Sequence, residues 1–216
     1  MPNIMTLSDI FPKSELTGRF EKLIKIKEMN KNHLDSMERL KPNDLFQIGI
    51  TIWDKYCNSH PEQDKFIFAK ECQSNDPNLY KKVHRTINEQ VLFDFFYGHA
   101  AIDDELLKEK DAVELILAHI YPSCLMIVDV MLINPYQPVV PRKYDHQHYK
   151  GLGLFGSVLD KSINYCHQHG LSEICLTAAD MPLKKHFEQY GFEVPDTWMG
   201  QAALKAGRGI PMSLRI

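Results

Sequence analysis

The chain has 216 residues, 44% of them hydrophobic and 25% charged, with a formal net charge of −3 at pH 7. That length fills one well-buried core and is marginal for two, so a single domain is expected, with residues 1–62 as its helical N-terminal portion and 63–216 as its core. The charge gives no general pull toward nucleic acid, no run of 18 apolar residues is present, and Met1-Pro2-Asn3-Ile4-Met5-Thr6 lacks a basic stretch followed by an apolar one. A cytoplasmic protein with neither a nucleic-acid nor a membrane partner is therefore expected. Cys57, Cys72, Cys124, Cys166 and Cys175 form no Cys-x-x-Cys pair and read as reduced, buried thiols of a reducing compartment.

In chain order, Asn3 to Leu7 is a weak first strand, and residues 13–39 read as a helix because Phe20, Leu23, Ile24, Lys27 and Leu34 fall near a 3.6 period. Pro42 allows a second helix from Asn43. Lys65 to Cys72 and Gln90 to Tyr97 are rich in β-favouring residues and read as strands, with Ser74 to Asn78 as a loop between them. Asp103-Asp104 is placed to cap a helix reaching His119 with Leu106, Leu107, Val113, Leu115, Ile116 and Leu117 on its apolar face. Such a helix would cover a cleft or support self-association as a homodimer. Val128 to Ile133 reads as a buried strand, Phe155 to Cys166 as an amphipathic helix closed by Gly170, and Ile174 to Ala178 as another strand. Pro182 starts a last helix and Gly191 ends it, and Pro211 to Ile216 alternates as a final strand.

The chemistry concentrates in His148-Tyr149-Lys150-Gly151-Leu152-Gly153-Leu154-Phe155-Gly156. Glycines let a ligand approach the backbone N–H groups closely, and the helix that follows adds unpaired amides and a positive dipole end, which together make a pyrophosphate site. Gly151-x-Gly153-x-x-Gly156 matches the dinucleotide fingerprint, but that pattern needs a buried apolar strand running into its first glycine, and Arg142 to Lys150 is polar. An NAD-dependent oxidoreductase is thus the weaker reading. A kinase loop fails because no catalytic lobe follows it.

These residues resemble the GNAT acetyltransferase superfamily, whose acetyl-CoA loop runs Gln/Arg-x-x-Gly-x-Gly/Ala. His148-Tyr149-Lys150-Gly151-Leu152-Gly153 fits with histidine in the first place. Ile133-Asn134-Pro135 stands where the family's fourth strand exits through Val-x-Pro, with roughly ten residues inserted before the loop, and Asp180 to Phe192 resembles the family's fourth helix. The resemblance covers residues 124 to 216. It implies a mixed, mostly antiparallel sheet flanked by helices (α+β type), acetyl-CoA as acyl donor, no metal, and an amine acceptor on a small molecule or a lysine side chain. It also implies direct attack in a ternary complex, with Leu132, Ile133 and Asn134 along the pantetheine arm and the amides of Tyr149, Lys150, Gly151, Leu152, Gly153 and Leu154 on the diphosphate.

The family's usual proton donor, a tyrosine four residues before Gly-Phe, is replaced here by Phe187, which cannot donate a proton. Either another acid or solvent then protonates the departing thiolate; Tyr190 and His186 are neighbours that point away from the Phe187 direction at 3.6 residues per turn, and Tyr190 reads as a candidate acid or as packed against the Gly191-Phe192 turn. Asp129, a charge inside the apolar run Leu125 to Ile133, is costly to bury without a partner or a wet cleft, which marks it as a candidate base or as a structural carboxylate. His146-x-His148 and His167-x-His169 lack a third ligand at metal-binding spacing and read as surface histidines. A CoA-binding module without turnover stays open as a reading from a different class, favoured by Phe187.

Overall fold

The computed structural model describes residues 6–11, 13–59, 92–104, 109–142 and 147–216. Two short helices, α1 (Leu7–Ile10) and α2 (Lys13–Phe20), lead into strand β1 (Ile24–Asn30). A 3-10 turn (Lys31–His33) then opens α3 (Leu34–Leu40) and α4 (Pro42–Ser59), followed by β2 (Leu92–Ile102), β3 (Lys110–Ile120), β4 (Cys124–Pro138) and the short β5 (Tyr149–Gly151). The chain ends in α5 (Phe155–His169), β6 (Glu173–Asp180), α6 (Met181–Glu188), α7 (Trp198–Ala206) and β7 (Arg208–Arg215). Among the described residues these strands make one seven-stranded sheet in the order β1-β2-β3-β4-β6-β7, with β5 beside β4. All its pairings are antiparallel except β4 with β6. This is the mixed, mostly antiparallel sheet flanked by helices, with a helical N-terminal region, that a GNAT-like topology requires.

Two apolar clusters lie on opposite faces of the sheet. Leu7, Phe11 and Leu16 of the N-terminal segment join Val158, Leu159 and Cys166 of α5 over one face. Met37, Leu45, Ile48 and Ile52 of α3 and α4 cover the other. Alternate residues of β3 feed the two layers, Leu115 and Leu117 into the first and Ile116 and Ala118 into the second. A strand covered on both sides loses the apolar–polar alternation of a half-exposed one.

That explains the largest correction to the sequence reading. Of the helix expected over 103–119, residues 105–108 lie outside the described residues and Lys110–Ile120 is not helical but β3, in the middle of the sheet and hydrogen-bonded to both β2 and β4. The Asp104 carboxylate takes Lys22 at 2.7 Å and the hydroxyl of Tyr136 at 2.8 Å. Val113, Leu115, Ile116 and Leu117, expected on the apolar face of that helix, are buried in the sheet instead. The helix expected over 13–39 is also broken, because Ile24–Asn30 is the edge strand β1, paired with β2 from Ile24↔Ile102 to Asn30↔Phe96. Its Lys25, Lys27 and Glu28 are the charges with which edge strands repel further pairing, and in the bare sequence they pass for a solvated helix face.

Leu7, expected in a first strand, begins α1 instead. Asn3 to Met5, the strand expected over Lys65 to Cys72 and its neighbouring loop lie outside the described residues. Helix α7, capped by the Thr197 hydroxyl on the Gly200 amide at 3.1 Å, had no expectation attached to it. The helix after the glycine loop does form and closes on Gly170 at φ 66°, while Asp180 caps α6 through the Leu183 amide at 2.9 Å. Cys124, Cys166 and Cys175 are buried thiols, and burial pushes Cys166 up to about 12, too high for a thiolate nucleophile.

Candidate active-site cleft

Strand β4 is two strands in one. From Cys124 to Ile127 it pairs in parallel with Glu173 to Leu176 of β6, and beyond Ile127 that pairing stops. At the same place its register with β3 slips: Ile116 faces Asp129 and Leu117 faces Ile127, leaving Val128 as the extra residue of a β-bulge. A bulge bends its strand and sharpens the local twist, which carries β4 away from β6. The gap is a cleft of about 670 Å³ walled by Ile127 to Ile133 on one side and by Leu176, Thr177 and α6 on the other. Its size is that of a small-molecule site, and its walls are mainly apolar.

The glycine segment closes one end of that cleft. Strand β4 runs on to Pro138 and β5, the start of the glycine segment, pairs with it, with Gly151 opposite Ile133, Lys150 opposite Asn134, and the Val139 amide donating to the His148 carbonyl at 3.1 Å. The Leu152 amide donates to the Leu132 carbonyl at 2.9 Å. Opposed residues of an antiparallel pair alternate between bonded and non-bonded sites, so Gly151, one step from that bond, turns its N–H away from β4. Gly153 then takes φ 68°, a left-handed turn that a β-branched residue would strain. Helix α5 follows with Leu154 at its N-cap and no side chain capping its first turn. The N–H groups of that turn have no partner within the helix.

Asp129 is the only carboxylate among the described residues lining the cleft. It lies diagonally from Glu114 on the same face of the β3–β4 pair, Asp129 opposing Ile116 and Met131 opposing Glu114, and burial first, then the neighbouring Glu114 carboxyl, push its carboxyl up to about 7 against the opposing pull of Lys41. Glu114 is 8% exposed. Lys41, between α3 and α4, donates to its Oε1, and the Tyr97 hydroxyl of β2 donates to Oε2 at 3.4 Å. Burial, followed by the charge of Glu114, pushes Tyr97 up to about 12, so its hydroxyl keeps its proton.

Across the cleft, α6 presents His186 and Phe187, and the turn after it presents Tyr190. Phe187 packs on Phe155 at 5.2 Å and Phe192 at 6.1 Å between ring centroids, making the core contacts of an aromatic hydrocarbon where the family places a hydroxyl. Tyr190 stands edge-on to Phe155 at 4.9 Å and His186 at 5.3 Å.

The cleft therefore brings together Asp129, Leu132, Ile133, Tyr149, Gly151, Gly153, Leu154 and Tyr190. Asn134, Lys150 and Leu152 stand outside its walls, and the Leu152 amide is committed to Leu132. The sequence reading missed Glu114, Lys41 and Tyr97, and it missed Arg19 of α2, whose guanidinium donates to the Leu152 carbonyl at 2.8 Å beside the glycine loop. Only Glu114 carried a signal, as a lone carboxylate in the apolar run Ala112 to Ala118. Among the described residues, no group of three or more His, Cys, Asp or Glu could hold a metal ion, and no helix is long and apolar enough to cross a membrane.

No family model and no curated protein matches the chain. Among solved structures, an assigned N-acetyltransferase from Lactobacillus plantarum aligns at 10% identity over 88% of this chain and 97% of its own, with a TM-score of 0.36. An acetyltransferase of the GNAT family from Staphylococcus aureus aligns at 14% identity over 89% and 98%, with a TM-score of 0.37. A conserved protein of unknown function from Enterococcus faecalis aligns at 13% identity over 80% of this chain and 33% of its own, with a TM-score of 0.31. Likenesses this distant leave the functional reading to the strand order, the parted β4 and the chemistry of the cleft.

Proposed function

We propose that the chain is an acetyl-CoA-dependent N-acyltransferase, and the observation that carries this reading is that β4 parts from β6 at the end of the cleft that the glycine loop closes. Between Ile127 and Leu132, where β4 has left β6 and has not yet met the glycine segment, its edge offers N–H and C=O groups to an extended amide-bearing arm, and the apolar walls suit its methylenes. The amides around Gly151, Gly153 and Leu154, with the first turn of α5, suit a diphosphate. The residues present thus fit a CoA thioester, with Leu132 and Ile133 along the arm and Tyr149 beside the phosphates.

In this reading the acceptor is an amine, on a small molecule or a lysine side chain, that arrives as an ammonium. One N–H proton passes to the Asp129 carboxylate and on to solvent, freeing the nitrogen lone pair. The nitrogen attacks the thioester carbonyl carbon, a C–N bond forms, and the C–S bond breaks with its electron pair on sulfur. The second proton shed by nitrogen balances the departing thiolate, and in this reading the Tyr190 hydroxyl, on the cleft wall, hands a proton to it. Water excluded by the apolar walls strengthens each of these interactions.

The test is thermal unfolding with acetyl-CoA, a longer acyl-CoA and NAD, for the wild type and Gly153→Val. A CoA thioester at 100 times its Kd raises the unfolding free energy by about 2.7 kcal/mol. Gly153→Val loses that gain. Protection by NAD and none by CoA refutes the reading. The burial of Phe187 at the usual donor position favours one other function, a CoA-binding module without turnover, which predicts CoA protection with no thiol release for any amine.

A further inference from the structure

We propose that Glu114 of β3 is the positioning residue of Asp129: Lys41 and Tyr97 fix Glu114 from behind, and the proton that the Asp129 carboxylate takes from the acceptor is then shared between the two carboxyl groups. This rests on reading the cleft as the acyl-transfer site. Glu114 stands among Ala112, Val113, Leu115, Ile116, Leu117 and Ala118, all buried. A carboxylate there costs several kcal/mol unless it is paired and hydrogen-bonded. Its hydrogen-bond partners are Lys41, between α3 and α4, and Tyr97 of β2, and Asp129 of β4 lies diagonally beside it on the same face.

The bulge completes the arrangement. Ile127 packs into one cluster and Val128 into the other, so a regular strand would return Asp129 to the side of Ile127. The extra residue holds Asp129 on the side of Val128, where Glu114 lies, while Val130 resumes the alternation. The same residue that opens the cleft thereby aims the acid at its partner. Asp129 alone then touches the acceptor, and Glu114 acts through it.

The charged groups around the pair fix the direction of each perturbation. Lys41 and Asp44 come from the start of α4, Tyr97 from β2, and His99 stacks on Tyr97 while pairing with Asp111 of β3 at 2.9 Å. Removing the neighbouring carboxylate with Glu114→Gln takes away a like charge, which eases ionisation of Asp129. Removing the cation with Lys41→Gln does the opposite, and Lys41, with its side chain 32% exposed, tolerates the change better than a core residue.

Carboxyl 13C NMR of the full chain, with the Asp129 signal identified by its loss in Asp129→Asn, reads the pair without substrate. Initial rates with acetyl-CoA and spermidine or Nα-acetyl-lysine amide give the pH profile of kcat/KM. The expected result is an Asp129 midpoint and an acid limb near pH 7, moved down by about one pH unit in Glu114→Gln and up in Lys41→Gln. A wild-type midpoint in the ordinary carboxylate range overturns the proposal, as does a midpoint or limb that stays fixed in both variants. Loss of CoA protection in the wild type counts against the acyl-transfer reading instead, and the NMR midpoints then judge the pairing of Glu114 and Asp129 by themselves.

Discussion

The two halves of β4 differ in what holds them. From Cys124 to Ile127 the strand has neighbours on both edges and its side chains are all but fully buried. From Asp129 to Asn134 it has lost β6, its side chains are half-buried, and one wall is open to a cleft. A single inserted residue, Val128, divides them. One strand can therefore be core over its first stretch of pairing and binding surface over the next, provided that the first half anchors it well enough for the second to part from β6 and leave its edge open as far as Leu132, where the glycine segment joins it.

The largest expected effect separates the halves by chemistry. Asp129→Asn lowers kcat/KM by about 10²–10⁴-fold, the usual contribution of a general base, with CoA protection retained. Activity within a factor of about two of the wild type, a margin far below the usual range for a general base, makes Asp129 a structural carboxylate. Next in size is packing. Leu125→Ala in the paired half costs about 2–5 kcal/mol in denaturant unfolding and leaves CoA affinity alone. Val130→Ala in the parted half costs about 1 kcal/mol and weakens CoA binding by about fivefold, because the cleft wall there gives up apolar surface that the ligand would cover. Equal stability costs at the two positions erase the distinction.

A smaller effect follows from the charge that the parted half carries. Asp129 binds its proton in the folded chain up to about pH 7, whereas in the unfolded chain it releases it near its ordinary value of 3.8. The folded state thus holds more protons between these limits, and stability falls as pH rises through that window, with the full loss present above pH 7. Asp129→Asn abolishes the loss, so it melts above the wild type at pH 8 and level with it at pH 4. A gap that does not change with pH speaks against a buried, proton-holding Asp129. The smallest change expected is in Tyr190→Phe, about tenfold in kcat, because a thiolate leaves readily and solvent can protonate it. An unchanged kcat removes Tyr190 from the chemistry.

How far the sequence reveals such a molecule depends on the range of the interactions. The glycine segment, α5, β6, α6 and β7 are legible because each is set by residues close in the chain: Gly170 and Gly153 by their left-handed backbone, Asp180 by the cap it makes three residues on. β3 reads as a helix in the bare sequence because Leu115 and Ile116 bury toward opposite faces, which only the finished sheet reveals. β1 hides for the opposite reason, having one covered face and an edge lined with lysines. At the site, Asp129 stands out as a charge in an apolar strand, but its meaning lies in Glu114, and the meaning of Glu114 lies in Lys41, 73 residues away. No periodicity records a pairing of that kind. Arg19 is illegible likewise, since its partner is the Leu152 carbonyl, 133 residues on.

The central claim is tested most directly by a crystal structure of the full chain with coenzyme A. The account predicts the diphosphate within hydrogen-bond distance of the amides between Gly151 and Gly156, and the pantetheine arm lying between β4 and β6 past Leu132 and Asp129. Coenzyme A bound at another surface, with the gap between those strands filled only by solvent, contradicts it.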